Sequence, residues 1–259
     1  MRVSYRTRST KDYWESRWTD IQPDRAMDNR DAYPLKYAEL TVKDKEGAIL
    51  EAGCGAGRIL RYFHDKGHKC IGIDYIKIAI DKLKNEDNSL QVEVADITSL
   101  RFPNDTFRYV LAFGLYHNLE NGLQQAINET SRVLENDGLV CASFRADNIQ
   151  NRLIDAWTKF RNRKSKEVKY FHKLNLTRTE FEKLFIDAGF TIEKLFPVEN
   201  MPLLYKFSFF RSSKQKEFNE NMGRAEGYQL SGSGQIVQNI LMRLFPDQFC
   251  NIYVLIARK

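Results

Sequence analysis

Three acids each close a short apolar run: Glu51 after Ile49-Leu50, Asp74 after Cys70–Ile73, and Asp96 after the alternating stretch Leu90–Val94. Between the first two lies Gly53-Cys54-Gly55-Ala56-Gly57. Glycines at alternate positions let backbone approach a ligand closely, because no Cβ intervenes. A helix starting at Arg58 would aim its free N–H groups and positive dipole end at the same place. Such a turn cradles a small polar or anionic group. A carboxylate after the second strand can accept from both vicinal hydroxyls of a ribose, which is the role expected of Asp74. Asp96, one strand further on, is placed to accept from the exocyclic amine of a base. Glu51 precedes the first glycine by two residues, where it would repel a pyrophosphate but suit an ammonium, directly or through water. The spacing is G-x-G-x-G, not the G-x-G-x-x-G of dinucleotide sites. Taken singly, these acids read as a solvated strand end, a helix cap and a turn residue. At three successive strand ends they describe a nucleoside with a cationic tail.

The elements that must hold these residues follow from periodicity. Apolar runs at 48–51, 70–74, 90–94, 109–113 and 139–144 read as strands. They alternate with amphipathic helical patterns at 58–66, 76–83 and 122–134, so a parallel sheet with right-handed crossovers is expected. Thr177 and Glu180 match a capping box, and Gly189 closes that helix. The continuous apolar run Phe249–Ala257 predicts a central buried strand, antiparallel to its neighbour at 190–196. The expected architecture is α/β: a doubly wound Rossmann-like sheet, mostly parallel, with an antiparallel C-terminal strand. Residues 46–198 and 247–259 form that domain. Residues 1–45 form an N-terminal helical cap, and residues 199–246 a helical insertion that serves as a lid beside the ligand site.

Together these features resemble the class I S-adenosylmethionine-dependent methyltransferases, in particular their small-molecule branch. The shared pattern is E-x-G-C-G-x-G at Glu51–Gly57, the ribose acid Asp74, the run from Asp96 through Leu100 and Phe102 to Phe107, and a late helix ending in Ala188-Gly189-Phe190. Arg108 stands where the family carries an acid, and Leu134–Gly138 is a looser form of its Leu-Lys-Pro-Gly-Gly turn. The resemblance implies S-adenosylmethionine as cofactor and S-adenosylhomocysteine as product. It implies cofactor contacts from Tyr13, Glu51, Gly53, Gly55, Gly57, Arg58, Asp74, Tyr75, Asp96, Ile97 and Phe113. It also places the loop Phe113–Leu119 beside the methyl group, with His117 as general base and Tyr116 orienting the acceptor or meeting the sulfonium. His172 is a weaker candidate for the acceptor pocket. Methyl transfer is an in-line displacement, in which positioning is worth ~7–11 kcal/mol.

Composition narrows the setting. The chain has 259 residues, 42% of them hydrophobic, and a net charge of +6. No apolar run approaches the ~20 residues of a membrane span. The N-terminus has no apolar h-region. Four separated cysteines form no C-x-x-C pair, and His64 and His68 read as surface residues, so no metal site is expected. A reducing, cytoplasmic setting fits. Two other functions compete with a small-molecule acceptor. The run Trp157–Lys173 holds seven Lys/Arg against one Glu, with aromatics between, and could track RNA phosphates. Against base N-methylation, Phe113-Gly114-Leu115-Tyr116 stands where an Asn/Asp-Pro-Pro-aromatic motif would be. A non-catalytic nucleoside-binding module would keep the glycines and Asp74 but need no aromatic insertion.

Overall fold

A computed structural model describes residues 1–21, 26–161, 168–198, 202–217 and 228–259. Its centre is a seven-stranded sheet of β2 (Ile49–Ala52), β3 (Cys70–Asp74), β4 (Gln91–Val94), β5 (Phe107–Ala112), β6 (Leu134–Arg145), β8 (Thr191–Val198) and β9 (Ile252–Arg258), in the order β4-β3-β2-β5-β6-β9-β8. Strands β2 to β6 are parallel, and β9 runs antiparallel between β6 and β8. The expected architecture is therefore the one formed. Successive strand residues face opposite sides of a sheet. Accordingly Leu50, Val110 and Val140 enter one core, and Ile49, Leu111 and Cys141 the other. The strand order reverses between β3-β2 and β5-β6, and the crevice outside the carboxyl ends at such a switch point is where ligands bind.

Helices α3 (Arg58–Asp65), α4 (Lys77–Glu86) and α5 (Leu123–Val133) make the crossovers. Helix α7 (Arg178–Ile186) starts on the expected capping box of Thr177 and Glu180 and buries Phe181 and Phe185 completely. Helix α6 (Ile149–Arg161) leads off from β6. Among the described residues, no helix is long and apolar enough to cross a membrane.

Two expectations change. The N-terminal segment begins with a strand, β1 (Arg2–Arg6), paired antiparallel with β7 (Tyr170–Asn175). Only then come α1 (Thr10–Asp20), capped by Ser9, and α2 (Leu35–Thr41), which begins after Pro34. The basic run 157–173 is no single surface. Trp157 and Phe160 are exposed on α6, whereas Phe171 is buried and Lys173 half-buried on β7; residues 162–167 lie outside the described residues. The insertion forms α8 (Pro202–Tyr205), α9 (Gly232–Leu244) and α10 (Pro246–Phe249), which pack on α6 and on one another.

Candidate functional site

A cleft of about 940 Å³ opens at the carboxyl ends of the central strands, walled by the glycine turn, the segment 95–98 and the loop 113–122. That volume is in the range of small-molecule sites. Helix α1 roofs it.

The turn is fastened to the next strand, since the N–H groups of Gly53 and Cys54 both donate to the Ile73 carbonyl at 2.8 and 2.9 Å. Gly55 has φ +54°, and a Cβ there would fall 2.6 Å from the Trp18 ring. Gly53 lines the cleft, while Gly57 does not; a Cβ on Gly57 would strike Leu83 at 2.7 Å. Gly57 thus lets α3 start close against α4 rather than meeting a ligand.

Asp74 ties turn and strand together. One carboxylate oxygen accepts from Gly55 N–H at 3.0 Å and the other from Ile76 N–H at 2.9 Å. Burial pushes its carboxyl up, and these backbone N–H groups pull it back. A carboxylate offers about four acceptor sites, so capacity remains for ribose hydroxyls. Glu51 is only 5% exposed, and its Oε2 is buried with no hydrogen-bond partner. Burial pushes its carboxyl up to about 8, against the pull of Arg58. An orphaned acceptor in a ligand cleft calls for a cationic donor, which the ammonium of an amino-acid tail supplies.

The far wall suits a flat base. Tyr75 is 62% exposed beside the buried Ile97, and both line the cleft. Asp96 accepts from the N–H and hydroxyl of Thr98, both at 2.8 Å, through one oxygen. Phe113 meets Tyr33 edge-on, with centroids 5.8 Å apart. The Tyr33 hydroxyl lies 2.9 Å from Ser143 Oγ, which accepts from Gly114 N–H at 2.9 Å. Burial pushes the Tyr33 phenol up to about 12, so it keeps its proton.

The roof was not legible as a site. Trp14, Arg17 and Trp18 line the cleft, with the two indoles stacked at 5.8 Å. Their i, i+4 spacing was the available signal, since it sets both on one helix face. Tyr13 lies outside the cleft: Arg6 stacks on its ring at 3.9 Å, and its hydroxyl accepts from Arg17 at 3.1 Å. The Lys82 ammonium pins the C-terminus of α1 by donating to the carbonyls of Trp18, Thr19 and Ile21 at 2.8, 2.6 and 3.0 Å.

The two expected catalytic side chains do not reach the cleft. Tyr116 is fully buried, its hydroxyl 2.6 Å from that of Thr130 on α5. His117 turns toward Phe144, Lys173 and Arg145, and burial holds its imidazole well below 6.5. The 3₁₀ turn 116–118 explains this, because at three residues per turn neighbours point about 120° apart. Asn118 is its member on the cleft. No described residue of the insertion lines the cleft, and helix α1 supplies its roof.

Comparison with known proteins agrees with this geometry. The profile of a methyltransferase domain family matches residues 49–138. A Mycobacterium tuberculosis protein named "Probable S-adenosylmethionine-dependent methyltransferase" is 26% identical over 158 residues, which is 61% of this chain and 54% of that protein. A malonyl-[acyl-carrier protein] O-methyltransferase of Salmonella typhimurium is 26% identical over 117 residues, 45% of this chain and 46% of that one. The chain thus aligns with about half the length of these curated relatives. The structure of a methyltransferase from Methanosarcina mazei superposes with a TM-score of 0.58 at 17% identity, covering 88% of this chain and 98% of the other. With this sheet order, glycine turn and match, residues 49–138 carry a methyltransferase domain on a Rossmann-like fold, and the chain is similar to proteins named as S-adenosylmethionine-dependent methyltransferases.

Proposed function

We propose that the chain methylates a small-molecule acceptor at oxygen or nitrogen. The buried, partnerless Glu51 oxygen in a roofed cleft carries this reading. When bound, S-adenosylmethionine supplies a methyl already activated on a sulfonium, so the chain's own task is placement. Glu51 receives the ammonium of the amino-acid tail, with Arg58 beside it. Asp74 takes the ribose hydroxyls. Tyr75 and Ile97 flank the base, and Asp96 accepts from its amine. The roof of Trp14 and Trp18 keeps water off this end. At the other end Tyr33, which keeps its proton, and Asn118 can donate hydrogen bonds to an acceptor. A role for His117 as base has no support from its placement outside the cleft. The O-methylating relative favours an oxygen acceptor. An RNA acceptor has less support, because the basic run divides between an exposed helix and an inward strand.

Calorimetry with S-adenosylhomocysteine tests the cofactor site. Asp74→Ala is expected to weaken binding roughly 10–100-fold, as the loss of hydrogen bonds to a charged group does; unchanged affinity would remove Asp74 from the site. Transfer of labelled methyl to fractionated cell extract tests the acceptor. Label in the small-molecule fraction is expected, and label confined to RNA would overturn the proposal.

A further inference from the structure

Behind the 3₁₀ turn, several cations are gathered that outnumber the carboxylates facing them among the described residues. Strand β1 turns Arg2, Ser4 and Arg6 inward, and Ser4 pairs across the ribbon with Lys173. Arg145, the last residue of β6, joins this ribbon where its carbonyl accepts from Leu176 N–H at 3.0 Å. His117 and His172 face the same group. Arg2 is met by Asp147 and Asp155. The others are not. Among the described residues the Lys173 ammonium makes no ion pair or hydrogen bond. Arg145 Nε, Arg6 Nε and Nη2, and His117 Nδ1 are buried without acceptors. Arg6 has only the face of Tyr13. The Lys173 ammonium is held well below 10.5 by burial and by Arg145.

Burying cations with too little counter-charge is unfavourable, and three pressed together are worse. The fold would not collect them on one ribbon for stability alone. The five residues are half-buried as whole residues, while their charged ends lie deeper, so an anion that reaches them loses its water. The cluster also abuts the cleft. His117 adjoins Asn118, and Thr10, on the cleft wall, bonds through its hydroxyl to the Phe171 carbonyl on β7 at 3.1 Å.

We propose that Arg6, Arg145 and Lys173 form an oxyanion subsite that takes a carboxylate or phosphate group carried by the methyl acceptor. Only the word acceptor rests on the methyl-transfer reading; anion binding does not. The three cations fix the charge of the group, and the histidines, held neutral, can donate or accept one hydrogen bond each.

The test is thermal melting of the whole chain in sodium phosphate and in sodium acetate, each against chloride at equal ionic strength. Wild type is expected to gain about 4 °C in at least one of them. Gain in phosphate alone identifies a phosphorylated group, and gain in acetate alone a carboxylate. Lys173→Met is expected to lose the gain while melting no lower than wild type in chloride, because it removes an unpaired charge. Arg145→Gln repeats the measurement at a second position. No anion-specific gain in wild type, its survival in both variants, or a lower melting point of Lys173→Met in chloride would each overturn the subsite. Calorimetry with S-adenosylhomocysteine on the same samples separates the two ideas. Failure there, with the anion gain present, removes the cofactor reading and leaves the subsite standing. Matched acceptors differing as free acid and amide complete the test. Wild type should prefer the acid through KM, and Lys173→Met should lose that preference; equal KM in wild type would overturn the link to the acceptor.

Discussion

If Glu51 receives the cofactor's ammonium as proposed, cofactor binding becomes a proton-release reaction. The Glu51 carboxyl is pushed from 4.5 up to about 8 by burial, so roughly nine-tenths of it is protonated in the free protein at about pH 7. An ammonium ligand needs it ionised. Binding S-adenosylhomocysteine, which keeps the ammonium but lacks the sulfonium, should therefore expel ~0.9 proton at about pH 7. The deprotonation costs about 1.4 kcal/mol there. Kd should fall nearly tenfold per unit from about pH 6 to about 7.5 and level off above about 8. Calorimetry in two buffers of different ionisation enthalpy reads the proton count directly. Glu51→Gln should release none, lose the slope, and bind roughly 10–100-fold more weakly on the plateau. The empty protein gives an independent sign. A folded pKa above the unfolded one contributes stability that is present below about pH 4.5 and lost as pH rises through about 8. Glu51→Gln should abolish that loss, at most ~5 kcal/mol. Buffer-independent heats with a flat Kd would refute Glu51 as the ammonium's partner.

Other expected outcomes probe the turn, the roof and the distant core. Gly55→Ala places a Cβ against Trp18 at a left-handed φ, which alone costs ~1–2 kcal/mol; S-adenosylhomocysteine affinity should drop more than tenfold, and wild-type affinity would show that the turn does not crowd the ligand. Lys82→Met removes three hydrogen bonds from the end of α1, so tryptophan emission should shift red as Trp18 loosens and Kd should rise; an unmoved spectrum would mean the roof holds without it. Thr177→Ala breaks the capping box of α7 and should cost ~1 kcal/mol in chemical denaturation with cofactor affinity unaltered; a matching loss of affinity would contradict the separation of α7 from the cleft.

The gathering of Glu51, the glycine turn and Asp74 at one cleft was legible because these parts are local in sequence. Glu51, Gly53, Gly55 and Asp74 sit on two adjacent strands and the turn between them, and parallel pairing of β2 with β3 brings them together automatically. The roof depends on contacts the sequence does not announce. Trp18 reaches Gly55, and Tyr33 reaches Ser143 across the sheet. The ribbon of β1 and β7 was missed for a related reason. RVSYR alternates polar and apolar residues, but its arginines face inward while Val3 and Tyr5 face out, the inverse of the usual half-buried strand.

That inversion links the fold to the chemistry. A strand that turns cations inward is a poor builder of core, and β1 gains its place by pairing with a segment more than 160 residues away. The same 3₁₀ turn then sorts its three side chains by direction: Tyr116 into the core with Thr130, His117 to the cations, and Asn118 to the cleft. Reading the loop as a list of candidate catalysts assigns all three to one place. Reading it as a turn with a threefold repeat assigns them to packing, the anion cluster and the acceptor end in that order. A single insertion after Tyr116 would rotate the histidine toward the cleft and the asparagine away. Such a variant should keep S-adenosylhomocysteine affinity, because no tail, ribose or base contact assigned to Glu51, Asp74, Tyr75 or Ile97 lies in the turn, while acceptor turnover falls. If turnover survived that rotation, Asn118 would have no part in holding the acceptor.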